Sequence, residues 1–200
     1  MPVRKHHESN DMRERILLSA EKVFAQKGYA AASIRELCEA AGVNRALIYY
    51  YFADKADLYR AVIANGEDDL LRIAREARDA DGLALDKLRL FIVHSAQLHL
   101  ERPSMMELTI RLERDHDHPE GILPLHQRMP EPPIIVRDIL TDGIAAGELR
   151  PLQIETVLHM IFGMVHSLVI MQELTQSSTI PDTSVDEILA VLAHGIAAPR

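Results

Sequence analysis

Apolar residues recur at helical spacing along almost the whole chain. Ile16, Ala20, Val23 and Phe24 fall on one face, at steps of four, three and one, and predict a helix over 11–27 that Gly28 ends. Ile34, Leu37, Cys38 and Ala41 then precede Gly42, and Val43, Leu47, Ile48 and Phe52 follow it. Two short helices that pack on each other place their apolar residues in this way. The turn between them needs one residue with φ > 0, which Gly42 supplies without steric cost. Ser33 and Glu36 spell an S-x-x-E capping box at the front of the first short helix. Asn44 is placed to cap the second, 44–51, and Asp54 to cap the next, about 55–78.

The remainder carries only helical signals. Helices are expected over 83–100, stopped before Pro103, and over 103–114. Residues 115–133 hold five prolines and one glycine and are expected to be loop. Pro132 and Pro133 suit the start of a helix running to Ala146, with Gly147 at its end. Helices over about 151–175 and 182–197 complete an all-α chain of about nine helices. The expected division is a disordered arm over 1–10, a helix-turn-helix domain over 11–54, and a ligand-binding and dimerisation domain over 55–200.

Helix 151–175 is apolar on every side, and such a helix must be covered on every side. A partner subunit is the expected cover. Leu158, Phe162, Val165 and Val169, with Ile188 and Leu192 of the last helix, are the expected homodimer interface. The segment 156–172 has no formal charge over 17 residues. A membrane span needs about 20, and this one carries His159 and His166, so it reads as a buried helix and no membrane role is expected.

Net charge is −8, but it is unevenly spread. Residues 1–60 hold 10 Lys/Arg against 8 Asp/Glu, and residues 61–200 hold 12 against 22. An acidic second part would repel a polyanion and orient the first part towards it. A single cysteine excludes an internal disulfide framework and fits a reducing compartment, and residues 1–11 lack an apolar signal run. A cytoplasmic protein is expected.

The outer face of helix 44–51 offers Asn, Arg and three consecutive tyrosines, groups suited to phosphates, base edges and thymine methyls. Phe24, Gly28 and Tyr29, then Ala41-Gly42-Val43, then Tyr49 and Phe52, then Lys55 and Leu58 agree in type and spacing with one known pattern. Over about residues 12–63 the chain resembles the tetracycline-repressor (TetR) family of bacterial transcriptional regulators. Ser33 stands where that family more often has Thr, Cys38 where Ala is usual, and Ala46 and Leu47 where Gly and a small residue are commoner.

The resemblance implies a phosphate contact for Ser33, through its hydroxyl and backbone N–H, and another for Lys55. Arg45 and Asn44 are the expected base readers, Arg to guanine and Asn to adenine. Tyr49 would pack on a thymine methyl and Tyr50 would reach the backbone. Arg35 and Ala46 complete the candidate DNA face. The resemblance also implies a homodimer, a double-stranded DNA operator of inverted-repeat form, and release by a small-molecule effector bound among the middle helices. His94, Gln97, Arg111 and His166 lie in otherwise apolar helices and are the candidate effector contacts, with core or surface roles as the alternative.

No cofactor, metal or catalytic site is expected. Glu113, His116, Asp117, His118 and His126 cluster in sequence, but without C-x-x-C or H-E-x-x-H spacing. No nucleophile elbow or glycine-rich phosphate loop occurs. The alternative to a DNA-binding regulator is a helical small-molecule or metal-binding bundle whose helix-turn-helix does not bind DNA.

Overall fold

The computed structural model describes residues 3–114, 118–122, 130–175, 186–188 and 190–191, with backbone only for 3–10 and 172–175. Its helices are α1 (Val3–Ala31), α2 (Ile34–Ala41), α3 (Arg45–Tyr51), α4 (Lys55–Asp79), α5 (Ala84–Glu101), α6 (Pro103–Arg114), α7 (Glu131–Ala145) and α8 (Ile154–Thr175). Residues 186–188 and 190–191 are also helical, inside the range expected for a last helix. Among the described residues there is no strand, and the chain is all-α.

The start of α1 departs from the sequence expectation, and α7 follows it closely. The backbone of residues 3–10 continues α1, where a disordered arm is expected. Extending an existing helix adds one hydrogen bond per residue fixed, and the Arg, Lys and Glu here tolerate it. At the other end Gly28, with φ 78° and ψ 171°, breaks the helix as expected, and one short turn to Ala31 follows the kink. α7 begins at Glu131, with Pro132 and Pro133 in its first turn, where their missing N–H groups are unneeded.

The chain packs as two compact units, each interleaved in sequence. One comprises residues 1–68 and 103–128, the other 69–102 and 129–200. These packing units do not follow a boundary at residue 54. α4 is one continuous helix that begins in the first unit and ends in the second, and α6 packs on α1 rather than with α5.

The core of the first unit gathers Ile16, Leu17, Phe24, Leu37, Ile48, Phe52, Leu58 and Tyr59 with Leu108 and Leu112 of α6. Polar contacts fasten α6 there: Ser104 Oγ donates to buried Glu21 at 2.6 Å, and Arg111 Nε donates to the Ala25 carbonyl at 2.9 Å.

The second core is built by α5, α7 and α8 with the end of α4. Leu88, Phe91, Ile92, Val136, Ile139, Leu140, Val157, Ile161 and Val165 meet in it, and Phe162 lies edge-on to Phe91 at 5.6 Å. α8 therefore turns the flank bearing Leu158, Val165 and Val169 into the core of its own chain. The residues expected to face a partner are engaged internally; Phe162 and Ile188 are partly buried against the same core, and Leu192 lies outside the described residues. The exposed side of α8 carries Met160, Gly163, Ser167, Ile170 and Met171 instead. Because α8 is apolar all round, its periodicity does not say which flank looks inward.

Candidate nucleic-acid interface

α2 and α3 form a tight helix-turn-helix on the core of the first unit. Gly42 sits at φ 63° and ψ 38°, in the left-handed region. Its N–H reaches the Glu39 carbonyl at 3.2 Å, and the Val43 N–H reaches the Cys38 carbonyl at 3.0 Å. These two bonds form a Schellman ending, which closes α2 and swings the chain directly into α3. Leu37 and Ala41 of α2 and Ile48 of α3 are buried beneath the turn.

Both helix starts are capped as the sequence implies. The Ser33 side chain accepts from the Glu36 N–H at 3.3 Å and donates to the Glu36 carboxylate at 2.7 Å, while the Ser33 N–H donates to the same carboxylate at 2.9 Å. Lys27 also pairs with Glu36. Hydrogen bonds from Lys27 and Ser33 hold the Glu36 carboxyl at about 2, well below its ordinary value. Ser33 is exposed, but the two donors expected to hold a phosphate are turned to Glu36, whose carboxylate fills the anion position at the start of α2.

Asn44 Oδ1 accepts from the Leu47 N–H at 2.9 Å, which caps α3. Paired recognition of adenine needs both an acceptor and a donor from the amide. One lone pair of Oδ1 serves the helix, which leaves Asn44 its second lone pair and its two amide N–H donors for a base.

The exposed face of α3 is led by Arg45 and Tyr49, one turn apart. The Arg45 guanidinium lies over the Tyr49 ring at 5.3 Å and donates to the Tyr49 hydroxyl at 3.3 Å. Stacking of this kind orders an exposed arginine. Tyr50 is 75% exposed, the barest aromatic ring among the described residues, and its ring lies edge-on to half-buried Tyr51. Ala46 is exposed on the same short helix, and Arg35 is exposed on α2, 3.7 Å from Glu39. Cys38 is half-buried, and burial pushes its thiol above the ordinary value, away from reactive thiolate.

Lys55 opens α4 but points back into the fold. Its Nζ donates to the carbonyls of Tyr29 at 2.9 Å, Ala32 at 3.0 Å and Ala30 at 3.4 Å, and lies 4.4 Å from the Tyr29 ring centre. Asp54 caps α4 as expected, its Oδ1 accepting from the Asp57 N–H at 2.7 Å.

The four candidate effector residues are not brought together. Arg111 belongs to the first unit and donates to the Ala25 and Gln26 carbonyls near the end of α1. His94 and Gln97 are exposed on α5, with Gln97 bonded to Glu101 at 3.2 Å, and His166 is half-buried on α8. The buried polar side chains of the second core are others, Ser95 and His99, four residues apart on α5. The His99 ring Nδ1 lies 2.7 Å from the Ser95 carbonyl, while the Ser95 hydroxyl has no hydrogen-bond partner among the described residues. Their fit to the i, i+4 buried face of α5 is a signal the sequence held, since Phe91, Ser95 and His99 share that spacing.

Of the acidic and histidine cluster, His116, Asp117 and His126 lie outside the described residues, and among the described residues no group of three metal-ligating side chains forms.

A short capped helix pair joined at a left-handed glycine, with an arginine and two tyrosines on the outer face of the second helix, defines a helix-turn-helix protein. Residues 16–62 match the family model for bacterial regulatory proteins of the tetR family. Relatives include the transcriptional activator FasR of Mycolicibacterium smegmatis, 35% identical over 68 residues, which span 34% of this chain and 31% of FasR. The transcriptional repressor BepR of Brucella suis is 38% identical over 72 residues, 34% of each chain. The chain thus spans about a third of the length of these relatives. The fold as a whole is shared more widely. A TetR family transcription regulator from Marinobacter aquaeolei superposes with a TM-score of 0.78 at 19% identity, covering 98% of this chain and 100% of that one. FadR from Bacillus subtilis, solved in complex with stearoyl-CoA, superposes with a TM-score of 0.67 at 24% identity, covering 90% and 96%.

Proposed function

We propose that this chain is a DNA-binding transcriptional regulator, a cytoplasmic homodimer that represses at an inverted-repeat operator and is released by a small-molecule effector. The observation that carries the reading is the outer face of α3, where Arg45 is stacked on Tyr49 beside an exposed Tyr50. A guanidinium held in this way can meet guanine O6 and N7 in the major groove. Two such helices, one per protomer, would fall roughly 34–36 Å apart along the duplex. The sign of regulation follows BepR, named a repressor; FasR is named an activator, so a promoter-reporter measurement decides it.

The effector belongs in the second unit, where α5, α7 and α8 pack around Phe91 and Phe162. A mostly apolar wall with the Ser95 hydroxyl as its polar mark suits a ligand with an apolar body and a small hydrogen-bonding head. Stearoyl-CoA, with which FadR was solved, carries an apolar body of this kind in its acyl chain. By preferring one spacing of the two reading heads, the effector shifts the dimer away from the spacing that fits DNA.

The test is selection of bound duplexes from a random pool at moderate salt. An inverted repeat with half-sites one turn apart is expected. Arg45→Ala should then weaken specific binding by about 1–3 kcal/mol while circular dichroism and dimer mass stay unchanged. No enriched sequence would count against the reading, and unchanged operator affinity in Arg45→Ala would remove Arg45 from the site.

A further inference from the structure

We propose that Lys55 is a positioning residue that latches the start of α4 to the junction of α1 and α2, and not a ligand for DNA phosphate. The proposal rests on the DNA-binding function put forward above.

The ammonium group has three hydrogens and no acceptor. Three carbonyls surround it, those of Tyr29, Ala30 and Ala32, at 2.9, 3.4 and 3.0 Å. The fourth side is the Tyr29 ring, 4.4 Å from Nζ to its centre. Such a set of neighbours replaces the hydration shell of a lysine with oriented dipoles and a π face. A phosphate oxygen at hydrogen-bond distance would have to displace one of them.

The cradle is a product of the local fold. At Gly28 the backbone takes φ 78° and ψ 171°, a region open essentially to glycine alone, and the chain leaves the axis of α1 there. The following turn directs its carbonyls to one point before Ser33 opens α2. These are helix-end carbonyls, the negative end of a backbone dipole, where a cation is favoured. Tyr29 is fixed in turn by Tyr59 at 5.2 Å and Phe24 at 6.4 Å, so the ring under the ammonium belongs to the core of the unit. Lys55 is only half-buried, which fits a side chain folded along the surface into a carbonyl ring.

The latch brackets the reading elements. Residues 29–32 lead directly into α2, and residues 52–55 lead directly out of α3. Tying these two ends together fixes the frame in which α2 and α3 are held, so Lys55 acts on recognition through the position of α3.

Salt dependence separates the two roles. Removing one phosphate-binding cation should flatten the slope of log K against log salt by about 0.9, so two copies of Lys55 in a dimer would account for about 1.8. For Lys55→Met the proposal expects weaker operator binding at every salt concentration with the slope unchanged. It also expects the free protein to melt lower, by at least ~2 °C, because three charge-assisted hydrogen bonds disappear. Lys55→Arg keeps the charge but replaces a compact three-way donor by a planar fork, and should melt lower as well. A slope flattened by about 1.8 with the melting temperature unchanged would overturn the proposal, as would full stability and affinity in Lys55→Met. If wild-type protein bound no duplex, the DNA-binding reading would fail, and the melting temperatures would still decide whether Lys55 is a latch.

Discussion

At the scale of single residues, much of the recognition surface is already engaged in holding itself together. Asn44 is the clearest case, because its Oδ1 accepts from the Leu47 N–H at 2.9 Å and so serves the helix before it serves a base. Asn44→Asp should leave stability nearly unchanged, since Asp and Asn cap helices about equally well. The same change removes both amide donors and turns a carboxylate towards the phosphates, so operator affinity should fall. Asn44→Ala should instead cost about 1 kcal/mol of stability, because the cap is removed. Denaturation curves and operator titrations of the two variants make the check. A destabilised Asp variant, or an Asp variant that binds normally, would show that the amide plays neither part assigned to it. The cap itself is legible in sequence, because Asn just before an apolar helical run has one dominant local use. The destinations of Lys55 and Arg111 are not legible, since each reaches backbone carbonyls 23 or more residues away in sequence.

At the scale of elements, local signals set the helix ends and close packing sets the neighbours. The Schellman turn at Gly42 and the capping box at Ser33 and Glu36 are local, and the sequence alone predicts both. The crossing of α5 and α7 depends on a close approach that no periodicity announces. A Cβ at Gly143 would lie 2.5 Å from the Ala84 Cβ and 3.0 Å from Leu149 Cδ1. Nearby, Glu148 accepts from the Ala84 N–H at 2.7 Å, so it caps α5 from the turn after α7, in place of the apolar Leu83. Gly143→Ala should therefore push the start of α5 away from α7 and strain that cap. Overpacking of a tight contact costs about 1–3 kcal/mol, more than the roughly 0.5–1 kcal/mol that alanine gains over glycine inside a helix. Urea denaturation should show a net loss of stability. An unchanged or raised midpoint would mean that the helices separate at no cost.

At the scale of the whole molecule, the question is what covers the outer side of α8. Met160 and Met171 are 49% and 54% exposed, and Ile170 is 39% exposed, on a helix without formal charge from Thr156 to Met171. Gly163 has nothing within 4 Å of where a Cβ would stand, and Ser167 is exposed one turn further on. Two small side chains between larger apolar ones allow another helix to approach closely, and a second copy of α8 across a twofold axis presents the same surface in return. The flank that the sequence pattern favours makes the contrast that tests this. Val165 is 4% exposed in the protomer's own core, so Val165→Glu should unfold the chain. Gly163→Arg and Met171→Glu should keep the helical circular dichroism of the wild type and sediment as monomers. Monomers carry one reading head each, so these variants should also lose most operator affinity while retaining weak, salt-sensitive binding to any duplex. Folded dimers in both variants would place the partner elsewhere on the chain. Unfolding in both would mean that this side of α8 is covered within the protomer.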